Sequence, residues 1–185
     1  MADAEPKRRG HESAQRRMGG LIGLSDWMIA VQTAAIVGSA VAAFFLVHVT
    51  RRINRKRATV DTLLTLRLDR DYIENRERFR KLIGDEDNLA KFASREHVSS
   101  DSRAVILRVL NYHEFLATAI AEDAFDEEIY KRMSFNMCVR DWERLSGFVQ
   151  ELRSSEGKPT LYQEFERLAC KWQSEPLRSY QRDHH

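Results

Sequence analysis

Charge is missing where a water-facing helix would carry it. From Trp27 to Val49 the chain reads WMIAVQTAAIVGSAVAAFFLVHV, 23 residues without a Lys, Arg, Asp or Glu. Cysteine is scarce as well. Cys138 and Cys170 form no CxxC and join no Cys/His cluster, which leaves no basis for a metal site and excludes a secreted disulfide framework. A reduced cytosolic setting is the simpler expectation. Between Ser39 and Ile83 there is neither Gly nor Pro, so nothing interrupts a helix there. No segment alternates with period two, and no glycine-rich phosphate loop, internal repeat or low-complexity tract occurs. A β architecture and P-loop chemistry are excluded with them.

What remains is ordinary in amount and uneven in placement. A chain of 185 residues has room for one domain and little more, and 43% hydrophobic with 31% charged residues suits a folded chain. Residues 1–57 hold ten Lys/Arg against four Asp/Glu, a balance of +6, whereas residues 58–185 hold twenty against twenty-four, a balance of −4. The basic excess belongs to the N-terminal segment. The domain after it is mildly acidic, a poor electrostatic match for nucleic acid.

The uncharged run fits one membrane crossing. A helix rising 1.5 Å per residue needs about 20 apolar residues to span a hydrocarbon core ~30 Å thick. Trp27 stands at one end, as an interfacial aromatic does, and His48 lies near the other. A cleaved signal peptide would use the small residues Ser39 to Ala42, yet FFLVHV continues the apolar run past them. The expected layout is a flexible basic tail over 1–25 and a transmembrane helix over 26–50. Arg51, Arg52, Arg55, Lys56 and Arg57 form a dense cluster expected at the lipid surface. By the positive-inside bias it places the C-terminal domain in the cytoplasm. Ala30, Ala34, Gly38 and Ala42 recur every four residues, with Ala35, Ser39 and Ala43 beside them. Small residues at that spacing let two helix backbones approach closely, so self-association is expected.

Beyond the membrane, the expectation is a juxtamembrane stalk helix over 51–83, ended by Gly84, with a break near Asp69 or Asp71 where either caps a new helix. A helical bundle over 84–173 and a tail over 174–185 follow. Within the bundle, Ile106, Leu110, His113, Ala117 and Ile120 make one helix face. Asp126 reads as an N-cap, with Glu127 and Glu128 favourable in the first turn. Cys138, Trp142, Leu145, Val149 and Leu152 make the next apolar stripe, ended by Gly157 and Pro159. Thr160 with Gln163 reads as a capping box, and Leu161, Phe165, Leu168 and Trp172 as the last stripe. The domain is all-α.

The motifs that carry chemistry are few. Arg108 and His113 match the ends of the Arg-x₄-His pattern of the higher eukaryotic and prokaryotic nucleotide-binding (HEPN) ribonucleases, which they resemble in spacing. The residue after the arginine, usually polar there, is Val109, and five residues set Arg108 and His113 about 140° apart around a straight helix. His113 also falls on the apolar stripe. His113-Glu114 begins the zinc-protease pattern, but the second ligand position is Ala117. Asp69, Asp71 and Glu74 read as the solvated face of a helix whose acidic residues precede its basic ones. Glu122 to Glu128 lacks the alternating ligands and central glycine of a calcium loop. No cofactor and no metal are expected.

The order of features resembles the bacterial family known as DUF4760, over roughly residues 27–173. The likeness rests on the membrane helix with its Arg-rich continuation, on VLNYHEFLATAIAEDAFDEEIYKRM (Val109 to Met133) and on RDWERL (Arg140 to Leu145), with Asn111, Tyr112 and Glu114 its most distinctive element. It implies an architecture and no activity. In layout, and in Arg108 and His113, the chain is also similar to the membrane-anchored HEPN-like accessory proteins of RNA-targeting CRISPR systems. That implies an oligomeric antiviral effector, either a pore or a ribonuclease. The leading expectation is a non-enzymatic, self-associating membrane protein that contacts lipid and engages a cytoplasmic protein partner.

Overall fold

The computed structural model describes the backbone of residues 8–177 and the side chains of residues 27–177. It is all-helical: α1 (Arg8–Leu68), α2 (Arg70–Asp85), α3 (Asp101–Ala121), α4 (Glu127–Glu156) and α5 (Gln163–Ser174). Two short 3₁₀ helices, Leu89–Ala93 and Arg95–His97, link α2 to α3. No strand occurs among the described residues. The chain divides into two compact units, Met1–Arg51 and Arg52–His185.

In the first unit every side chain from Trp27 to Val49 is exposed, including Phe44, Phe45 and Leu46. The stretch is long and apolar enough to cross a membrane. By length and composition α3 passes the same test, but Ile106 and Leu110 on α3 are fully buried in the core of the second unit. The tail expected over 1–25 is already helical from Arg8, and residues 1–7 lie outside the described part. Of the C-terminal tail expected over 174–185, only residues up to 177 are described.

The second unit begins earlier than the expected bundle. Thr59 and Leu63 of α1 are buried, as are Asn75 and Phe79 of α2. Residues 51–83 are therefore not a free stalk. The break near LDRD occurs as expected: the Asp69 side chain accepts from the Tyr72 N–H at 2.8 Å and starts α2. The last turns of α1 are fixed to the turn between α3 and α4. There the Thr59 hydroxyl accepts from the Asp126 N–H at 2.7 Å, and Arg55 pairs with Asp123 and Asp126.

The link between α2 and α3 carried no periodic signal, yet Leu89, Phe92 and Ala93 are buried against α4. Gly147 of α4 faces Ala90 there, and a Cβ at that position would sit 3.8 Å from the Ala90 Cβ, an ordinary van der Waals contact. Arg103 of α3, itself buried, donates to the carbonyls of Phe92, Ala93 and Ser94, the Ala93 bond being 2.6 Å. Three carbonyls at the end of a 3₁₀ helix thus find a charged donor instead of water.

On α4, Asp126 is the N-cap, accepting from the Ile129 N–H at 3.1 Å, and Gly157 ends the helix in the left-handed region at φ +65°. All five residues of the expected α4 stripe are buried. The start of α5 differs from expectation. Its N-cap is Tyr162 at φ +56°, with no side-chain bond from itself, and Leu161 precedes the helix, only partly buried. The orphan N–H groups of Glu164 and Phe165 donate instead to the Glu114 carboxylate of α3, at 3.3 and 2.8 Å. A long-range carboxylate replaces the local capping box because it reaches two donors and meets the positive end of the helix dipole.

Replacing Glu114 with Ala is expected to lower stability by about 1–2 kcal/mol, read from the denaturant midpoint of unfolding. Thr160→Ala is expected to change it by less than ~0.5 kcal/mol. The reverse order would restore the local capping box.

Candidate functional site

Two polar residues stand on apolar stripes, and the fold brings them together. His113 faces inward from α3 between Leu110 and Ala117, and Asp141 faces inward from α4 beside Cys138 and Trp142. Each is 1% exposed. The His113 Nε2 lies 2.9 Å from the Asp141 Oδ2. From α2, Arg76 donates to the same carboxylate, with Nη1 2.6 Å from Oδ2 and Nη2 3.4 Å from Oδ1. Phe165 of α5 stacks on the imidazole, its ring centroid 4.4 Å away and the planes 7° apart. Tyr112 packs on the edge of His113 and against Tyr72 of α2, at 5.3 and 4.8 Å between centroids.

The charge state follows from these neighbours. Burial alone would raise the Asp141 carboxyl, but the hydrogen bonds from His113 and Arg76 outweigh it and hold it below the ordinary carboxylate range. Burial lowers the imidazole of His113, and the neighbouring Asp141 does not fully restore it. The pair is therefore a neutral histidine donating from Nε2–H to an ionised aspartate whose counter-ion is Arg76. His113 Nδ1 is then a lone pair with no hydrogen-bond partner in the buried core. Burial pushes the nearby Cys138 thiol up to about 12, and it pushes the Tyr130 hydroxyl up as well. Neither is poised as a nucleophile at neutral pH.

Arg108 and His113 are not brought together. Arg108 is exposed and faces a groove between α2 and α3 lined also by Asp69, Asp71, Glu74 and Arg78. His113 points to the opposite side, into the core, as the helical spacing requires. The distinctive neighbours of His113 have architectural partners: Asn111 Oδ1 accepts from the Tyr162 hydroxyl at 3.0 Å, and Glu114 caps α5. Of the basic cluster, Arg51, Arg52, Lys56 and Arg57 are exposed, while Arg55 is partly buried in its ion pairs with the α3–α4 turn. Ala30, Ala34, Gly38 and Ala42 are all exposed. Among the described residues no three His, Cys, Asp or Glu side chains gather as a metal site would require. Both cysteines are free thiols, Cys138 buried and Cys170 exposed.

Sequence reasoning placed His113 in the core but missed Asp141 and Arg76. A carboxylate three residues after Cys138 and four before Leu145, on a stripe otherwise apolar, was the available signal.

The chain belongs to the family DUF4760, a domain of unknown function, whose model matches residues 32–172. That span includes most of the uncharged run of α1 and all of the bundle to Trp172. No curated protein and no solved structure matches the chain.

Stability is expected to depend on pH through His113. Its folded value lies below the ordinary 6.5, so below that pH the unfolded chain binds a proton that the folded chain refuses. Stability is full above about pH 6.5 and falls on acidification, by at most ~1.4 kcal/mol per pH unit. Asp141, also depressed, adds a loss only below the ordinary carboxylate range, near 3.8. Denaturant unfolding of His113→Asn from pH 7.5 to 5 should lack the steeper wild-type slope. Asp141→Leu strands Arg76 and should cost about 3–5 kcal/mol. Equal slopes would show that the imidazole is protonated in the folded chain.

Proposed function

We propose that this DUF4760 protein is a non-enzymatic, single-pass membrane protein of a bacterial inner membrane. In this reading it self-associates through the small-residue stripe of α1 and presents its helical bundle to a protein partner in the cytoplasm. The observation that carries the reading is the face of α1 from Trp27 to Val49. It is apolar, uncharged and packed on nothing within the described chain. Twenty-three such residues exposed to water would be a large liability, whereas a bilayer solvates them. Arg51, Arg52, Lys56 and Arg57, exposed directly after the run, favour the cytoplasmic side and contact with anionic lipid headgroups.

The polar chemistry of the bundle supports a non-catalytic role. Asp141 is bonded to both His113 and Arg76 in the core, and a substrate has no approach to a histidine that is 1% exposed. The ribonuclease reading would require α5 to leave, because Phe165 covers the imidazole.

The membrane fraction of cells expressing the chain should retain it through alkaline carbonate extraction, and deletion of residues 27–49 should release the bundle to the supernatant. Gly38→Leu tests the association. An added side chain at Gly38 meets nothing within 4 Å in the single chain, so any effect reports contacts between copies. Close backbone approach at small residues is what drives such association, so the variant should weaken dimerisation in neutral detergent. A wild-type chain that is monomeric at every concentration would remove the self-association.

A further inference from the structure

The hollows on the second unit differ in how their arginines are engaged. In the groove beside Arg108, three carboxylates oppose two arginines, and Arg78 is bonded to Glu74 and Asp101. Beside the α3–α4 turn, Arg52, Arg55 and Lys56 face Asp123, Asp126, Glu127 and Glu128. Near the end of α4, Arg103 is occupied by three backbone carbonyls and Glu156, and Lys158 pairs with the same Glu156, which leaves Arg95 as the one cation of that hollow without an ion pair among the described residues.

A fourth hollow is unbalanced. A cleft of about 330 Å³ opens between the last turns of α1, α2 and α4, and Arg67, Arg76, Arg80 and Arg140 line it with one carboxylate, Glu77. Arg76 forms its inner wall and is bonded to Asp141. Arg67, Arg80 and Arg140 are exposed, and among the described residues none has a carboxylate within 4.0 Å. They come from three different helices, so their convergence is a product of the tertiary fold and not of one basic helix face. Tyr72, Tyr112, Met133 and Met137 give much of the remaining wall an aromatic and soft character. The Tyr72 hydroxyl donates to the weak thioether acceptor of Met137, at 3.9 Å, a bond that a stronger acceptor would displace.

We propose that this cleft binds a phosphorylated ligand, its phosphate held by Arg67, Arg80 and Arg140 and its apolar or ring portion lying against Tyr72 and Tyr112. Guanidinium forks match phosphate oxygens in pairs, and three that converge without internal counter-ions favour a multiply charged anion. The volume lies at the lower end of small-molecule sites and suits a phosphate with a modest organic body. A free phosphorylated metabolite and a phosphatidate headgroup share this chemistry. The site stands whether or not α1 spans a membrane.

The test uses the full chain in neutral detergent at fixed ionic strength. In one arm inorganic pyrophosphate is titrated calorimetrically. In the other, phosphatidic acid is compared with phosphatidylcholine in mixed micelles. Saturable binding of pyrophosphate supports a free phosphorylated ligand. Selective binding of phosphatidic acid, with none of pyrophosphate, supports a lipid headgroup. In either case the double variant Arg80→Ala/Arg140→Ala should bind at least tenfold more weakly, Arg67→Ala should weaken binding in the same direction, and Arg108→Ala should bind as wild type. Arg67, Arg80 and Arg140 are exposed, so these variants should keep the wild-type unfolding temperature, which is measured alongside. Absence of saturable binding in both arms, or undiminished binding by the double and Arg67 variants, overturns the proposal.

Discussion

A carboxylate in a helical core has few ways to exist. Asp141 lies on the inner face of α4, away from water, where an unpaired charge would cost several kcal/mol. It is accommodated only if donors from neighbouring helices arrive at hydrogen-bonding distance, and here they do, with Arg76 from α2 and His113 from α3. Phe165 on α5 then closes over the imidazole. One buried oxygen pair thereby sets how α2, α3 and α5 lie against α4. A sheared or rotated packing of the same apolar stripes would bury similar area but leave Asp141 without partners. The triad is better read as fixing one packing among several than as adding net stability, since a well-packed apolar substitute could be as stable.

Much of the architecture was legible because it is local. Helix stripes follow from period, Asp69 and Asp126 from capping chemistry, and Gly157 from the left-handed turn that ends α4. What was not legible depends on residues distant in sequence. The start of α5 looked like a local capping box, yet Glu114, about fifty residues earlier, reaches its N–H groups. Residues 51–83 looked like a stalk because no Gly or Pro interrupts them, but Thr59 and Leu63 on α1 and Asn75 and Phe79 on α2 form narrow buried faces amid their charge. The two 3₁₀ helices are too short to show any period. Their burial depends on Arg103, which bonds the carbonyls at the end of the first of them.

Two charge-neutralising arrangements beside α1 show how the second unit is kept in register. Arg55 is drawn out of the basic cluster into pairs with Asp123 and Asp126, and Thr59 takes the Asp126 N–H. Asp126 therefore acts three times over: its side chain caps α4, its amide holds Thr59, and its carboxylate faces Arg55. One residue further, at the same end of the bundle, Glu127 accepts from both Trp172 and Lys171. Partial burial would raise its carboxyl, but those two bonds prevail and lower it. The acidic first turn of α4 is thus a structural hub, which accounts for the charge of Asp126 and Glu127.

The same reasoning separates the polar groups that build this fold from those left free to act. Arg76, Arg103, His113, Glu114, Asp126 and Asp141 all satisfy a buried partner, and a ligand could recruit them only by breaking the packing that positions them. The Arg-x₄-His spacing divides along that line. Its histidine belongs to the core, its arginine to the surface, and the helix that carries both holds them on different faces. Groups without an internal partner lie elsewhere: the uncharged face of α1, and arginines that three helices bring to one cleft. A protein whose interior polar residues are committed to its own architecture has its recognition chemistry on surfaces that its own chain leaves unmatched, and in this chain those surfaces are apolar in one unit and cationic in the other.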